Sequence, residues 1–129
     1  MSGKIGFKDL VADAEQRIET ITAEAALACF DAPGVVFVDL RDVRELKREG
    51  KIPGAFHCPR GLLEFWIDAD SPYYNKAFGE EKRFIFYCNL GWRSALAADI
   101  AQKMGLKNVC HIEGGFEAWK SSGGAVEEK

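Results

Sequence analysis

Residues 83–105 read RFIFYCNLGWRSALAADIAQKMG, and the choice of fold turns on them. RFIFY is a short, mostly apolar, β-prone run of the kind that forms a strand buried on both faces. Beyond it, Leu96, Ala97, Ile100, Ala101 and Met104 recur at helical spacing, and Gly105 closes the pattern. The stretch therefore predicts a strand, a short loop and a helix beginning near Ser94. Cys88, Gly91 and Arg93 crowd into that loop.

Working outward, the same alternation recurs. VVFVDL at 35–40 is a second apolar run after the chain-breaking APG, and AFHCP at 55–59 and NVCHI at 108–112 are further candidate strands. Between and before them lie helical patterns. Phe7, Leu10, Val11, Ala14 and Ile18 share one face of a helix, Thr22 is a good N-cap for TAEAALACF, and VRELKREG ends at Gly50. GLLEFWIDADSPYYNKAF at 61–78 predicts a short helix and then a long loop, and FEAWK a terminal helical turn. Strands alternating with helices give an α/β fold, with a central, mostly parallel sheet of about five short strands flanked by helices on both faces. In such sheets ligands bind beyond the carboxyl ends of the strands, where Cys88 and Asp39 both fall.

The 129 residues suit one domain, and 47% apolar with 29% charged residues is ordinary globular composition. A net charge of -3, with no basic stripe, argues against nucleic acid as a partner. No apolar run is long enough to span a bilayer, and the amino terminus is charged and polar, so no membrane partner and a cytoplasmic location are expected. In that compartment the four cysteines stay reduced.

The loop chemistry follows from its residue types. A free cysteine, with a pKa of roughly 8.5, is mostly protonated at neutral pH, and its thiolate is the nucleophile. Arg93 and the amides at the start of the following helix supply positive potential to favour that thiolate. Gly91 removes a Cβ and permits unusual dihedrals, so a short loop around Cys88 can turn N–H groups inward as an anion-binding nest. Cys29, Cys58 and Cys110 read as core residues. The pairs His57-Cys58 and Cys110-His111 point to opposite faces of their strands, and CxxC and HxxxH spacings are absent, so no metal site is expected. No histidine lies near Cys88 in sequence; only the fold could bring His57 or His111 to the thiol.

Four segments carry a resemblance: VVFVDLRDVREL, GKIPGAFHCPRG, YCNLGWRSALAADIAQKMG and NVCHIEGGFEAWKSSGG. In this order, from about Thr20 to Gly124, the chain resembles the single-domain rhodaneses, a family of sulfurtransferases. The matching features are Asp39-x-Arg41, Ile52 to Ala55, the Cys-x-x-Gly-x-Arg-Ser loop, and a Gly-Gly-Phe-x-x-Trp near the end. A rhodanese domain over 20–124 is therefore expected, with an amino-terminal helical extension at 1–19 and a frayed tail at 125–129.

The resemblance implies that Cys88 accepts a sulfane sulfur from a small sulfur-containing anion such as thiosulfate, or from an organic persulfide. It then passes the sulfur to cyanide or a thiol, with protein donors or acceptors also in view. Asn89, Leu90, Gly91, Trp92 and Arg93 would wrap the persulfide, and Asp39, Arg41 and Ser94 would support the loop. Arg93 would tie the loop to Asp39 or hold an anionic donor. No cofactor is implied, because the cysteine carries the sulfur. Cell-cycle phosphatases on the same fold have one more residue between cysteine and arginine, whereas here only NLGW intervenes. Sulfur transfer is therefore preferred to phosphate hydrolysis, and also to a non-catalytic binding module, which usually lacks the cysteine. Trp92, Tyr73 and Tyr74 suggest a partly apolar rim, with Phe65 and Trp66 in the core.

Overall fold

The computed structural model describes residues 3–128. The elements run α1 (Phe7–Glu15), β1 (Glu19–Ile21), α2 (Ala23–Ala28), β2 (Val35–Asp39), α3 (Val43–Glu49), β3 (Phe56–His57), α4 (Leu63–Ile67), β4 (Arg83–Tyr87), α5 (Trp92–Lys103), β5 (Val109–Ile112) and α6 (Gly115–Ser121). Short 3-10 turns at Arg60–Leu62 and Lys76–Gly79 flank α4 and precede β4. The sheet has five strands in the order β1-β5-β4-β2-β3, and every pairing is parallel. The α/β sheet read from the sequence is thus the sheet that forms.

Because the central strands are covered on both faces, alternate side chains feed two separate cores. Val38, Phe84, Phe86 and Val109 face one layer, where Ala95, Ala97, Ala98 and Ala101 of α5 let that helix lie close to the sheet. Phe37, Ile85, Tyr87, Cys110 and Ile112 face the other, against Ala23 and Ala26 of α2 and Phe116 and Trp119 of α6. Phe37, Phe30 and Trp119 meet edge to face there. Cys58 and Cys110 are buried in these cores, and burial pushes each thiol up to about 12, so neither ionises near neutrality.

Three details depart from the sequence reading. β1 falls in a segment expected to be helix and inter-helix connection, because Glu19 and Thr20 are exposed and lack an apolar period; only pairing with β5 makes them a strand. In the tail expected to fray, Ala125 and Glu127 are hydrogen-bonded to the domain. Trp119 Nε1 donates to the Ala125 carbonyl at 2.8 Å, and Glu127 exchanges backbone hydrogen bonds with Lys51. Lys129, the end of that tail, lies outside the described residues, as do Met1 and Ser2 of the extension. Finally, Phe65 stands on the surface while Trp66 packs on Phe56 in the core.

The amino-terminal extension is docked on α5. Arg17, just after α1, clasps Asp99 through Nε at 2.9 Å and a terminal nitrogen at 2.7 Å, and Gln102 donates to the Arg17 carbonyl. Phe7 of α1 rests against Trp92 with ring centroids 4.8 Å apart. Among the described residues no helix is long and apolar enough to cross a membrane.

Candidate active site

β4 delivers Cys88 to the carboxyl edge of the sheet, one residue past its last strand residue. The loop then turns through Gly91, whose φ of +102° is a conformation an L side chain rarely adopts, and α5 begins at Trp92. Trp92 and Arg93 therefore lie in the first turn of α5, earlier than the expected start near Ser94. Cys88 itself is 1% exposed. Its Sγ accepts hydrogen bonds from the Gly91 amide at 3.2 Å and the Ser94 amide at 3.4 Å. Two N–H groups at a helix start thus converge on the sulfur.

The glycine pair after β5 clamps the other side of the loop. The Phe116 amide donates to the Cys88 carbonyl at 2.8 Å, and the Glu117 amide to the Asn89 carbonyl at 3.2 Å. This approach is possible only because Gly115 has no side chain. A Cβ there would lie 2.5 Å from the Cys88 carbonyl oxygen, at a φ of +58°. The Gly-Gly-Phe sequence is therefore part of the site.

Asp39 and Arg41 support the loop by a different route from the expected one. Both are fully buried and pair with each other, Arg41 Nε on Asp39 Oδ1 at 3.0 Å and a terminal nitrogen on Oδ2 at 2.8 Å. The same terminal nitrogen donates to the Gly50 carbonyl, and the guanidinium lies 4.4 Å from the Phe116 ring centroid. Arg41 thus steadies the residue whose amide holds Cys88. Arg93 is not tied to Asp39. Its terminal nitrogens reach both carboxylate oxygens of Glu45 on α3, at 2.7 and 2.9 Å, a partner 48 residues away that the sequence reading missed. Glu45 also caps α3 by accepting from the Asp42 amide at 3.1 Å, and the Arg93 hydrogen bonds hold its carboxyl below the usual carboxylate range.

The fold also brings a histidine to the thiol. Ser94 Oγ lies 3.6 Å from Cys88 Sγ and 2.9 Å from His111 Nδ1, and His111 Nε2 lies 3.1 Å from Thr20 Oγ1. Strand alternation was the available signal: opposite in direction to buried Cys110, His111 must face the α5 layer. His57 is occupied elsewhere, with Nε2 2.7 Å from the Arg41 carbonyl. Of the loop residues, Leu90 and Trp92 are about half exposed and, with Phe7, form an apolar rim. Asn89 is half-buried, with its Oδ1 enclosed and without a hydrogen-bond partner. Among the described residues no cluster of three or more His, Cys, Asp or Glu is placed to hold a metal ion. A cleft of about 760 Å³ lined by Gly34, Arg83, Met104 and Lys107 lies at the opposite, amino-terminal edge of β2 and β4.

Comparison with known proteins places the fold in a family. The model of the Rhodanese-like domain matches residues 22–122, and the chain belongs to that family. Among curated relatives, a putative mitochondrial thiosulfate sulfurtransferase of Schizosaccharomyces pombe is 30% identical over 89 residues, 65% of this chain and 62% of its own length. A mouse thiosulfate sulfurtransferase/rhodanese-like domain-containing protein 3 is 26% identical over 77% of this chain and 66% of its own. The chain thus spans slightly under two thirds of these two relatives. Among solved structures, a Rhodopseudomonas palustris protein of unknown function, described as a possible tyrosine phosphatase, is 54% identical with a TM-score of 0.93, covering 98% of this chain and 99% of that one. The polysulfide-sulfur transferase homodimer of Wolinella succinogenes is 26% identical with a TM-score of 0.74, covering 95% and 88%.

Proposed function

We propose that this protein transfers sulfane sulfur through a persulfide on Cys88. The observation that carries the reading is the Cys88 sulfur held by the Gly91 and Ser94 amides at the start of α5. The thiolate attacks the outer sulfur of the donor; the donor S–S bond breaks, and its leaving group, sulfite in the case of thiosulfate, departs with the electron pair. An acceptor thiolate or cyanide then attacks the outer persulfide sulfur. The bond to Sγ breaks, and the Cys88 thiolate is restored. Family membership and the names of the sulfurtransferase relatives support this chemistry.

The apolar rim of Phe7, Leu90 and Trp92, and the neutralisation of Arg93 by Glu45, favour an organic persulfide or a persulfidated protein over thiosulfate as donor. All four cysteines are free thiols, which suits a reducing compartment such as the cytoplasm. The test is the intact mass of the purified protein before and after a persulfide or thiosulfate donor, and again after cyanide. One sulfur gained and then lost, and no gain in Cys88→Ser, is the expected result; a mass unchanged by every donor overturns it.

The description of the Rhodopseudomonas palustris structure favours a second reading, phosphate monoester hydrolysis. Against it, only NLGW separates Cys88 from Arg93, and the Arg93 guanidinium is already engaged by Glu45. Turnover of an aryl phosphate that disappears in Cys88→Ser would reverse the ranking.

A further inference from the structure

A row of hydrogen-bonded side chains runs from Cys88 to the β1 edge of the sheet. Cys88, Ser94 and His111 are each at most 1% exposed, whereas Thr20 on the edge strand β1 is exposed. Thr20 and His111 are register partners in the β1–β5 pairing, so the strand that makes the sheet edge also places a hydroxyl on the imidazole. The result is an unbroken hydrogen-bonded chain, Cys88 Sγ to Ser94 Oγ, Ser94 Oγ to His111 Nδ1, and His111 Nε2 to Thr20 Oγ1, with separations of 3.6, 2.9 and 3.1 Å. Every link after the sulfur can both give and take a proton, as a hydroxyl or a neutral imidazole does.

We propose that Ser94, His111 and Thr20 are a proton relay that carries the Cys88 thiol proton to water at the β1 edge, with His111 exchanging one tautomer for the other. The proposal rests on the reading of Cys88 as the reacting thiol. In the thiol state Sγ–H donates to Ser94, Ser94 donates to Nδ1, and Nε2–H donates to Thr20. On ionisation each proton moves one link along: from Sγ to Ser94 Oγ, from Ser94 to Nδ1, from Nε2 to Thr20 Oγ1, and from Thr20 to a water molecule. One proton leaves. What remains is a thiolate accepting from Ser94, which accepts from Nδ1–H, while Nε2 accepts from Thr20. The exchange therefore gives both charge states of the sulfur a fully satisfied set of partners, which a fixed donor could not. Ser94 touches the reacting sulfur in this scheme, and His111 and Thr20 are positioning residues that act through it.

The imidazole must stay neutral to work in both directions, and its surroundings hold it so. Burial alone drives its pKa down, to about 4. The charged groups on the elements around it are engaged elsewhere. Glu19 of β1 pairs with Arg83 of β4, Asp99 of α5 with Arg17 and Lys103, Arg93 with Glu45, and Glu117 with Lys120 of α6.

Two measurements on the full chain decide the matter, and neither uses a sulfur donor. In nitrogen-15 spectra His111 should show the Nε2–H form while Cys88 is a thiol and the Nδ1–H form once it ionises, with no such change in Cys88→Ala. One tautomer throughout the titration overturns the relay. Alkylation of Cys88 by iodoacetamide, followed against pH by peptide mass spectrometry, is the second. Thr20→Val, at an exposed position, takes the partner from Nε2 in both tautomers at unequal cost to an N–H and to a lone pair, so the midpoint should move from that of the unaltered protein. Thr20→Ser should restore it. A Thr20→Val profile identical to that of the unaltered protein overturns the proposal. A relay that passes both measurements in a protein that never gains sulfur would count against the proposed function alone.

Discussion

Arg93 and Glu45 form a two-pronged ion pair, 2.7 and 2.9 Å between facing nitrogens and oxygens, that joins the first turn of α5 to the first turn of α3 across the mouth of the Cys88 loop. The pair leaves the mouth less cationic than a free arginine would. Glu45→Gln should expose that charge to a donor and lower the KM for thiosulfate about fivefold, equivalent to about 1 kcal/mol for a partly exposed pair. KM for an uncharged organic donor should not change. Steady-state kinetics with both donors checks it.

Cys88 alone should carry sulfur. Cys58→Ala and Cys110→Ala should retain sulfur transfer while losing some stability, because those thiols are core groups with pKa values pushed up to about 12. Cys88→Ser should retain none. Thiocyanate formation and thermal melts on the three variants measure the two properties separately.

Gly115→Ala should loosen the loop without touching its chemistry directly. Its methyl would press on the Cys88 and Asn89 carbonyls, 2.5 and 2.6 Å away, at a left-handed φ. The strain should cost at least about 2 kcal/mol in denaturant unfolding. Sulfur transfer should fall with it, as the Phe116 and Glu117 amides lose their grip on the loop.

The buried pair Asp39–Arg41 should matter to stability more than to catalysis. Asp39→Ala leaves the Arg41 guanidinium enclosed and uncompensated, which should cost about 3–5 kcal/mol. Urea titration monitored by tryptophan fluorescence reads this directly, since Trp119 is fully buried.

His111 sets an acid limit on the fold. Its pKa is near 6.5 unfolded and about 4 folded, so between those values the unfolded chain binds the extra proton. Stability should therefore fall as pH drops from 6.5 to 4, by roughly 3 kcal/mol at most. His111→Gln should flatten that part of the stability-pH curve. A slope unchanged in the variant would remove His111 as the cause.

The strand–loop–helix at 83–105, the parallel α/β arrangement and the glycine-bearing loop around Cys88 were legible because each rests on local properties. An apolar run suits a doubly covered strand, a small-residue stripe suits a helix laid on a sheet, and a glycine allows a left-handed turn. The edge strand β1 was not legible, since two of its three residues are exposed and it becomes a strand only through β5. The partners of the site were hidden for the same reason. Arg93 meets Glu45 over 48 residues, Ser94 meets His111 over 17, and His111 meets Thr20 over 91. The sequence by itself determined that a cysteine sits at a strand end in a glycine-bearing loop before a helix, which is what singles out Cys88 as the proposed nucleophile. Only the tertiary structure decided which charge neutralises Arg93 and which hydroxyls and imidazole stand behind the sulfur, because hydrogen bonds are set by distances in space that strand order creates and spacing along the chain does not encode.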